Sequence, residues 1–389
     1  MEKSTKNWCI GVIGAGTMGS GIAQLAASFG HKVILFDANS TILSLAIEKL
    51  EKSLDALVQK GKITADSAKT TLSNIHNAIS LNEFSKCDLI IEAVIEELEI
   101  KKEIFKNLED IISPACILAT NTSSLSVTSI AASCKQVERV VGIHFFNPAT
   151  IMPLVEMVPG IATAKSIVNE SRILIDSWNK TTVIAKDTPG FIVNRVARPF
   201  YGEAIRIYEE GIADFATIDW AMKEIGGFKM GPFELMDFIG NDINFKVTET
   251  VWTQLFYDDR YKPSLTQKRL YEAGFWGRKK GRGYYSYVEG DIMPEPKKDK
   301  ALGEKIFFRI IAMLINEAYD AWYLRIASQE DLELAMMKGV NYPKGLIKWS
   351  EELGLQKTLN ILMELHSTYL ENRYRPSMLL RNSAKNTKE

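Results

Sequence analysis

The chain contains 389 residues and only four histidines, and one of these stands where proton chemistry is plausible. His144 lies near the end of the apolar run Val140–Phe145, within Gly142-Ile143-His144-Phe145-Phe146-Asn147-Pro148. His31 falls in a turn, His76 in a polar linker between helices and His366 in a C-terminal helical segment. An imidazole titrates near neutrality, so it can take a hydroxyl proton and return it. Twelve residues on, Glu156 interrupts the apolar run Leu154-Val155-Glu156-Met157-Val158. A carboxylate in such a run is costly unless paired. A His144–Glu156 pair would orient the ring and raise its basicity, and a structural ion pair is the alternative reading.

The strongest local motif is Gly14-Ala15-Gly16-Thr17-Met18-Gly19, which follows a strand-like run and opens a helical one. In that context Gly14 permits a tight turn and Gly16 lets a pyrophosphate approach the backbone. Gly19 allows the helix to pack closely on the strand, and the helix N-terminus offers amides to phosphate. A glycine turn in an unrelated α/β protein is the alternative. Asp37 ends the next strand-like run, eighteen residues after Gly19, where it can accept both hydroxyls of a ribose. Ala38, Asn39 and Ser40 supply no arginine for a 2′-phosphate, so NAD is expected in preference to NADP.

These residues need a sheet to hold them. Strands are predicted at Cys9–Ile13, Val33–Asp37, Leu89–Val94, Ile117–Ala119, Val140–Phe145, Leu154–Val158 and Val183–Ala185, with helical periodicity between them, as in Gly19–Phe29 and Glu97–Ile111. This alternation implies an α/β Rossmann-type domain over 1–187, with a parallel sheet covered on both faces. The roughly fifty residues between the second and third strands exceed a minimal crossover. Within 40–82, Leu43, Ala46, Leu50, Leu54 and Leu57 predict a long amphipathic helix followed by another, with Lys49, Lys52, Lys60 and Lys62 on the exposed side. Thr188-Pro189-Gly190 marks a boundary, and the strand signal stops there. An all-α segment covers 188–290, the Pro- and Lys-rich stretch Gly290–Lys300 links it onward, and a second all-α segment covers 298–389, frayed after Pro376.

The two helical segments align without a gap at an offset of 114 over about 45 residues. Arg195, Glu203, Gly231 and Gly240 then face Arg309, Glu317, Gly345 and Gly354, while Asp219 meets Glu333 and Phe228 meets Tyr342. The C-terminal segment therefore reads as a second copy of the helical domain. Asn194, however, faces Phe308, so the copy lacks the first segment's polar residue at that position.

Composition narrows the partners. Lys plus Arg is 47 and Asp plus Glu is 48, and a net charge of -1 argues against a general nucleic-acid or membrane-surface binder. Asn7–Gly30 carries no charge, yet its glycines and polar residues break it into runs too short for a membrane span. Cys9, Cys87, Cys116 and Cys134 include no C-x-x-C pair, so no metal site is expected and a reducing, cytoplasmic setting is.

The pieces GAGTMGSGIA, IEAVIEELEIKKEIF, NTSSLSVTSIA, GIHFFNP, LVEMV, KDTPGFIVNR and GPFELMDFIG occur in order across residues 8–290. Together they resemble the short-chain L-3-hydroxyacyl-CoA dehydrogenases, related to 3-hydroxybutyryl-CoA dehydrogenase. The resemblance implies NAD-dependent oxidation of a (3S)-3-hydroxyacyl-CoA to the 3-ketoacyl-CoA, or the reverse. It makes His144 the general acid/base and Glu156 its partner. It also places Ser123, in Asn121-Thr122-Ser123-Ser124, and Asn194 around the reacting oxygen. The bland alternatives are that Ser123 caps a helix over Leu125–Ala132 and that Asn194 is an ordinary helix-surface residue. The resemblance further sets Glu96 and Lys101 near the nicotinamide ribose, Asn121 and Asn147 in the cofactor site, Lys279 at a closing turn, and Ser53 and Lys60 against the CoA nucleotide. Thr150 and Pro153 stand where the family often has Pro and Lys. The implied partner is an acyl-CoA thioester, with no nucleic acid and no membrane, and the second helical copy suggests either a monomer with an internal pseudo-dimer or a homodimer. A dehydrogenase acting on a non-CoA 3-hydroxy acid or sugar acid, and a catalytically idle NAD-binding module, are the competing expectations.

Overall fold

A computed structural model describes residues 8–386. The chain divides into two compact units after Thr188. The first unit runs β1 (Cys9–Ile13), α1 (Thr17–Ser28), β2 (Lys32–Phe36), α2 (Ser40–Gln59), α3 (Ala65–Ser73), β3 (Ile75–Asn77), β4 (Leu89–Glu92), α4 (Leu98–Glu109), β5 (Ile117–Thr120), α5 (Val127–Ala131), β6 (Val140–Phe145), β7 (Leu154–Pro159), α6 (Lys165–Ser177) and β8 (Thr181–Ile184). β4, β5 and β6 are buried along their whole lengths because helices cover both faces of the sheet, which is why their sequences read as unbroken apolar runs. The core joins Ile10 and Val12 of β1, Ile22 and Ala26 of α1, Ile91 of β4 and Ile143 of β6.

The strand order is β3-β2-β1-β4-β5-β6-β7-β8. The chain builds outward from β1 to β3, then returns to the other side of β1 with β4. That reversal opens a crevice at the carboxyl ends of β1 and β4, where ligands bind in open α/β sheets. The sheet is not wholly parallel, as the sequence had suggested: β7 pairs with β6 antiparallel. The reason is covalent. Residues 146–153 connect the two strands, and a parallel return needs a crossover of a dozen or more residues. Lys180, buried, anchors this connection by donating to the carbonyls of Ala149 and Met152, so the unusual Thr150 and Pro153 are accommodated in an ordered turn. β3 was not anticipated, since its three residues on the sheet edge are too few to show a period; it contains His76, read above as part of a linker. The insert forms the expected helix pair, with Leu43, Ala46, Leu50 and Leu54 of α2 buried.

The second unit is helical: α7 (Val193–Val196), α8 (Arg198–Glu209), α9 (Phe215–Trp220), α10 (Pro232–Ile239), α11 (Asn241–Gln254), α12 (Leu265–Glu272), α13 (Lys300–Tyr323), α14 (Gln329–Gly339), α15 (Leu346–Leu353), α16 (Leu355–Tyr369) and α17 (Met378–Asn386). Residues 189–290 and 298–386 of the two helical segments lie in this one unit, with α8 packed on α13. Two arrangements recur in it at the offset of 114. Asp219 accepts from the amides of Phe233 and Glu234 at the start of α10, and Glu333 accepts from those of Ile347 and Lys348 at the start of α15. Gly231 and Gly345 precede those helices, and a Cβ on either would strike the bracing carboxylate, at 2.3 Å from Asp219 Oδ1 and 1.8 Å from Glu333 Oε2. The tail after Pro376 is not frayed up to Asn386. Leu380 is buried, and the Ser377 amide donates to Asn316, so burial of one face makes a helix of a segment too polar to suggest one alone.

Candidate functional site: a dinucleotide crevice and a His–Glu pair

The glycine turn is shaped for a dinucleotide. Gly14 has φ +97°, which favours glycine, and a Cβ there would lie 2.6 Å from the Ala93 carbonyl oxygen. A Cβ on Gly19 would fall 1.7 Å from the Gly14 carbonyl oxygen, so helix and strand can only approach as they do with glycine at that position. Gly16 differs, because a Cβ there would meet no protein atom within 4 Å. It is the N-cap of α1, its conformation does not demand glycine, and no side chain caps the helix. Thr17 and Met18 open α1, whose first turn carries no acidic residue, so the positive helix end remains available to an anion. Asp37, just beyond β2, accepts from the Ala15 amide through Oδ2 at 2.8 Å and from the Asn39 amide through Oδ1 at 2.9 Å. These bonds tie the acidic residue to the glycine turn. A cradle that a Cβ would fill, an uncapped helix end and a carboxylate beside them fit NAD.

Behind the crevice lies a network that sequence reasoning missed in part. Glu92, buried at the end of β4, accepts from Lys101 Nζ at 2.6 Å, from Thr120 Oγ1 at 2.7 Å and from the Val94 amide at 2.7 Å. Its signal in the sequence was a carboxylate inside Leu89–Val94. Lys101 is 1% exposed, and its ammonium also faces Glu96 Oε2 at 3.3 Å. Glu96 Oε1 in turn gathers the Thr122 hydroxyl at 2.6 Å and the Ser123 and Ser124 amides at 2.9 and 3.1 Å. Burial by itself would raise the Glu96 carboxyl, but the Lys101 charge and these donors outweigh it and hold the group below its ordinary value. Ser123 Oγ also lies 3.3 Å from Glu96. Ser123 does not cap the following helix: Ser126 does so, accepting from the Ser129 amide, with Asp187 taking the amides of Val127 and Thr128.

His144 and Glu156 stand opposite each other in the β6–β7 register. Nδ1 donates to Glu156 Oε2 at 2.7 Å, with His144 6% exposed and Glu156 fully buried. A carboxylate on Nδ1 fixes the tautomer and leaves the basic lone pair at Nε2. Asn121, at the end of β5, accepts from the Phe145 amide at 2.9 Å and so fixes the β5 end to the histidine strand. Asn147 follows β6 and is exposed.

The remaining candidates lie elsewhere. Ser53 and Lys60 are exposed on α2 and at its C-terminal end. Asn194, on α7, and Lys279 belong to the second unit; Asn194 is half-buried, and Lys279 pairs with Asp242 at 2.7 Å. Among the described residues no cluster of His, Cys, Asp and Glu could hold a metal ion, and no helix is long and apolar enough to cross a membrane.

A doubly wound sheet, a glycine turn at its switch point and an imidazole–carboxylate pair at neighbouring strand ends define a nicotinamide-dependent dehydrogenase. Comparison with known proteins makes this specific. The family model for the 3-hydroxyacyl-CoA dehydrogenase NAD binding domain matches residues 9–188, and that for the 3-hydroxyacyl-CoA dehydrogenase C-terminal domain matches 190–287 and 306–388. The chain belongs to the 3-hydroxyacyl-CoA dehydrogenase family. It is 37% identical to a 3-hydroxyadipyl-CoA dehydrogenase of Escherichia coli, covering 96% of this chain and 97% of that one. It is 40% identical to a probable 3-hydroxybutyryl-CoA dehydrogenase of Bacillus subtilis, over 72% of this chain and 96% of the relative. The crystal structure of a 3-hydroxybutyryl-CoA dehydrogenase from Escherichia coli superposes with a TM-score of 0.93 at 37% identity, covering 98% of this chain and 99% of that one. The protein is an NAD-dependent 3-hydroxyacyl-CoA dehydrogenase.

Proposed function

We propose that His144 is the general acid/base for a (3S)-3-hydroxyacyl-CoA, that Glu156 orients it, and that Ser123 and Asn194 hold the oxygen at the reacting carbon. The observation that carries this reading is the 2.7 Å bond between His144 Nδ1 and buried Glu156, since it presents Nε2 as the base. When bound, NAD accepts the hydride. His144 takes the hydroxyl proton at Nε2, and Glu156 stabilises the imidazolium that results. The carbonyl that forms needs fixed donors, a task suited to the Ser123 hydroxyl and the Asn194 amide. In the reverse direction the same imidazolium returns its proton.

The cofactor assignments follow the crevice. Gly14, Gly16, Thr17, Met18 and Gly19 hold the pyrophosphate and Asp37 the adenosine ribose. Glu96 faces the nicotinamide ribose, and Lys101, which is buried, serves by holding Glu96 in place. Asn121 and Asn147 complete that end, and Lys279 serves at the closing turn. Ser53 and Lys60, both exposed on the α2 side of the first unit, take the nucleotide part of CoA.

The two helical segments read best as copies forming an internal pseudo-dimer, so that one chain supplies both sides of the seam and the protein is a monomer. The matched caps by Asp219 and Glu333 support this. The four scattered cysteines, with no C-x-x-C pair among them, accord with a cytoplasmic setting.

The test is NADH oxidation with a series of 3-ketoacyl-CoA thioesters, comparing the parent with His144→Gln. Turnover by the parent and its loss in the variant are expected, and activity surviving the substitution would overturn the assigned mechanism.

A further inference from the structure

Arg198 is a buried cation with no carboxylate beside it. It begins α8 and is 7% exposed. Nη1 donates to Thr248 Oγ1 at 3.1 Å, Nε is buried with no acceptor, and among the described residues no carboxylate stands within ion-pair distance. Its guanidinium carbon lies 4.9 Å from the Tyr201 ring centroid. Tyr342, which follows α14, packs on Phe200 and Phe228 with ring centroids 5.8 and 5.1 Å apart, and its buried hydroxyl has no partner. Arg198, Tyr201 and Tyr342 are close enough to perturb one another electrostatically, and each is more than nine-tenths buried.

The fold does not require this cluster. At the offset of 114, Arg198, Tyr201 and Thr248 face Ala312, Ile315 and Leu362, which are buried apolar residues on the matching helices, and Tyr342 faces Phe228. One side of the seam thus packs dry at positions where the other buries a guanidinium. Burying a cation without a counter-charge costs several kcal/mol, so a site that persists in this form suits an incoming anion.

We propose that Arg198, with the hydroxyls of Tyr201 and Tyr342, forms a carboxylate pocket for the far end of an acyl chain bearing a second, terminal carboxylate. This rests on the reading above in which Asn194 meets the reacting carbon. Asn194 precedes Arg198 by four residues, and Ala197 between α7 and α8 keeps helical angles (φ -79°, ψ -10°). The two residues therefore lie on one face, about 6 Å apart along the axis. A short run of methylenes spans that distance. The guanidinium then offers its planar fork to the carboxylate, with the tyrosine hydroxyls as further donors. The second helical segment contributes Tyr342, so it has a part in specificity as well as packing.

The test compares kcat/KM for two 3-ketoacyl-CoA thioesters of equal length, one ending in a carboxylate and one in a methyl group. The parent should prefer the carboxylate by about tenfold or more, Arg198→Met should abolish that preference, and Tyr342→Phe should reduce it by a few-fold. A parent without the preference, or variants that lower both substrates by one factor, would overturn the proposal while leaving the dehydrogenase reading intact. Thermal stabilisation of the parent by chloride or phosphate, lost in Arg198→Met and accompanied by no substrate preference, would assign the pocket to a free inorganic anion and equally overturn it. Failure of the parent to turn over either thioester would bring down the dehydrogenase reading and this proposal with it.

Discussion

Arg195 and Glu317 form a buried ion pair, Nε to Oε1 at 2.8 Å, and Arg309 and Glu203 form the same pair at 3.0 Å with the two helical segments exchanged. The residues map onto each other at the offset of 114, so a contact from i to j is returned from the copy of i to the copy of j. That reciprocity supports the proposed reading of the two segments as copies in an internal pseudo-dimer, since an isologous interface returns each contact in this way. Phe228 and Tyr342, which the offset aligns with each other, are in contact with ring centroids 5.1 Å apart. Glu317 also accepts from Arg260 Nη1 and the Tyr261 hydroxyl, and Arg309 engages Glu210 and Tyr374.

Breaking either pair should therefore loosen the seam from both sides. Glu317→Gln is expected to destabilise by about 3 kcal/mol or more, because it leaves the buried Arg195 without its carboxylate, and Glu203→Gln by less, about 1 kcal/mol, because Arg309 keeps Glu210. Urea unfolding checks this, and a change below about 0.5 kcal/mol would place the pairs among negligible contacts. Sedimentation of the parent should show a monomer.

The crevice glycines separate folding from binding. Gly19→Ala should impair folding, since its Cβ overlaps the Gly14 carbonyl. Gly16→Ala should fold and melt as the parent does, having no protein atom to strike, yet lose NADH affinity by about tenfold or more because its methyl occupies the phosphate approach. Fluorescence titration with NADH, alongside melting curves, distinguishes the two.

Glu156→Gln should keep the ring near its position while removing the charge that stabilises the imidazolium. Expected is a fall in kcat of about 100-fold, with NADH affinity retained and KM little changed. A larger loss of NADH binding than of kcat would make the pair a structural one.

Glu96 carries a pH signature. Its carboxyl is held below the ordinary value by Lys101 and the 122–124 turn, against the opposing effect of burial. A carboxyl depressed in the folded state stabilises above its unfolded pKa and loses that contribution as pH falls through the folded value. The melting-temperature advantage of the parent over Glu96→Gln should thus be constant near neutrality and shrink in acid. An advantage that grows in acid would contradict the assignment.

Much of the site was legible because its signals are local. The glycine turn, Asp37 at a strand end, and carboxylates or imidazoles set in apolar strands are each visible within a few residues, and so is the offset that relates the helical segments. The pairing of His144 with Glu156 was readable as a possibility, since both interrupt apolar runs. That they face each other follows from the antiparallel register of β6 and β7, which the short connection between them imposes. Other features depend on long-range packing and left no local mark. The resemblance sets Lys101 near the nicotinamide ribose, and only tertiary structure shows it buried between Glu92 and Glu96 as a brace. Arg198 carries no motif, and only the folded chain sets it against Tyr201 and Tyr342 with no carboxylate beside it among the described residues. Sequence alone determined which chemistry the chain carries, because residue type and spacing specify motifs. Tertiary structure decided which charges are satisfied and which remain open to a ligand, because that depends on partners brought together from distant parts of the chain.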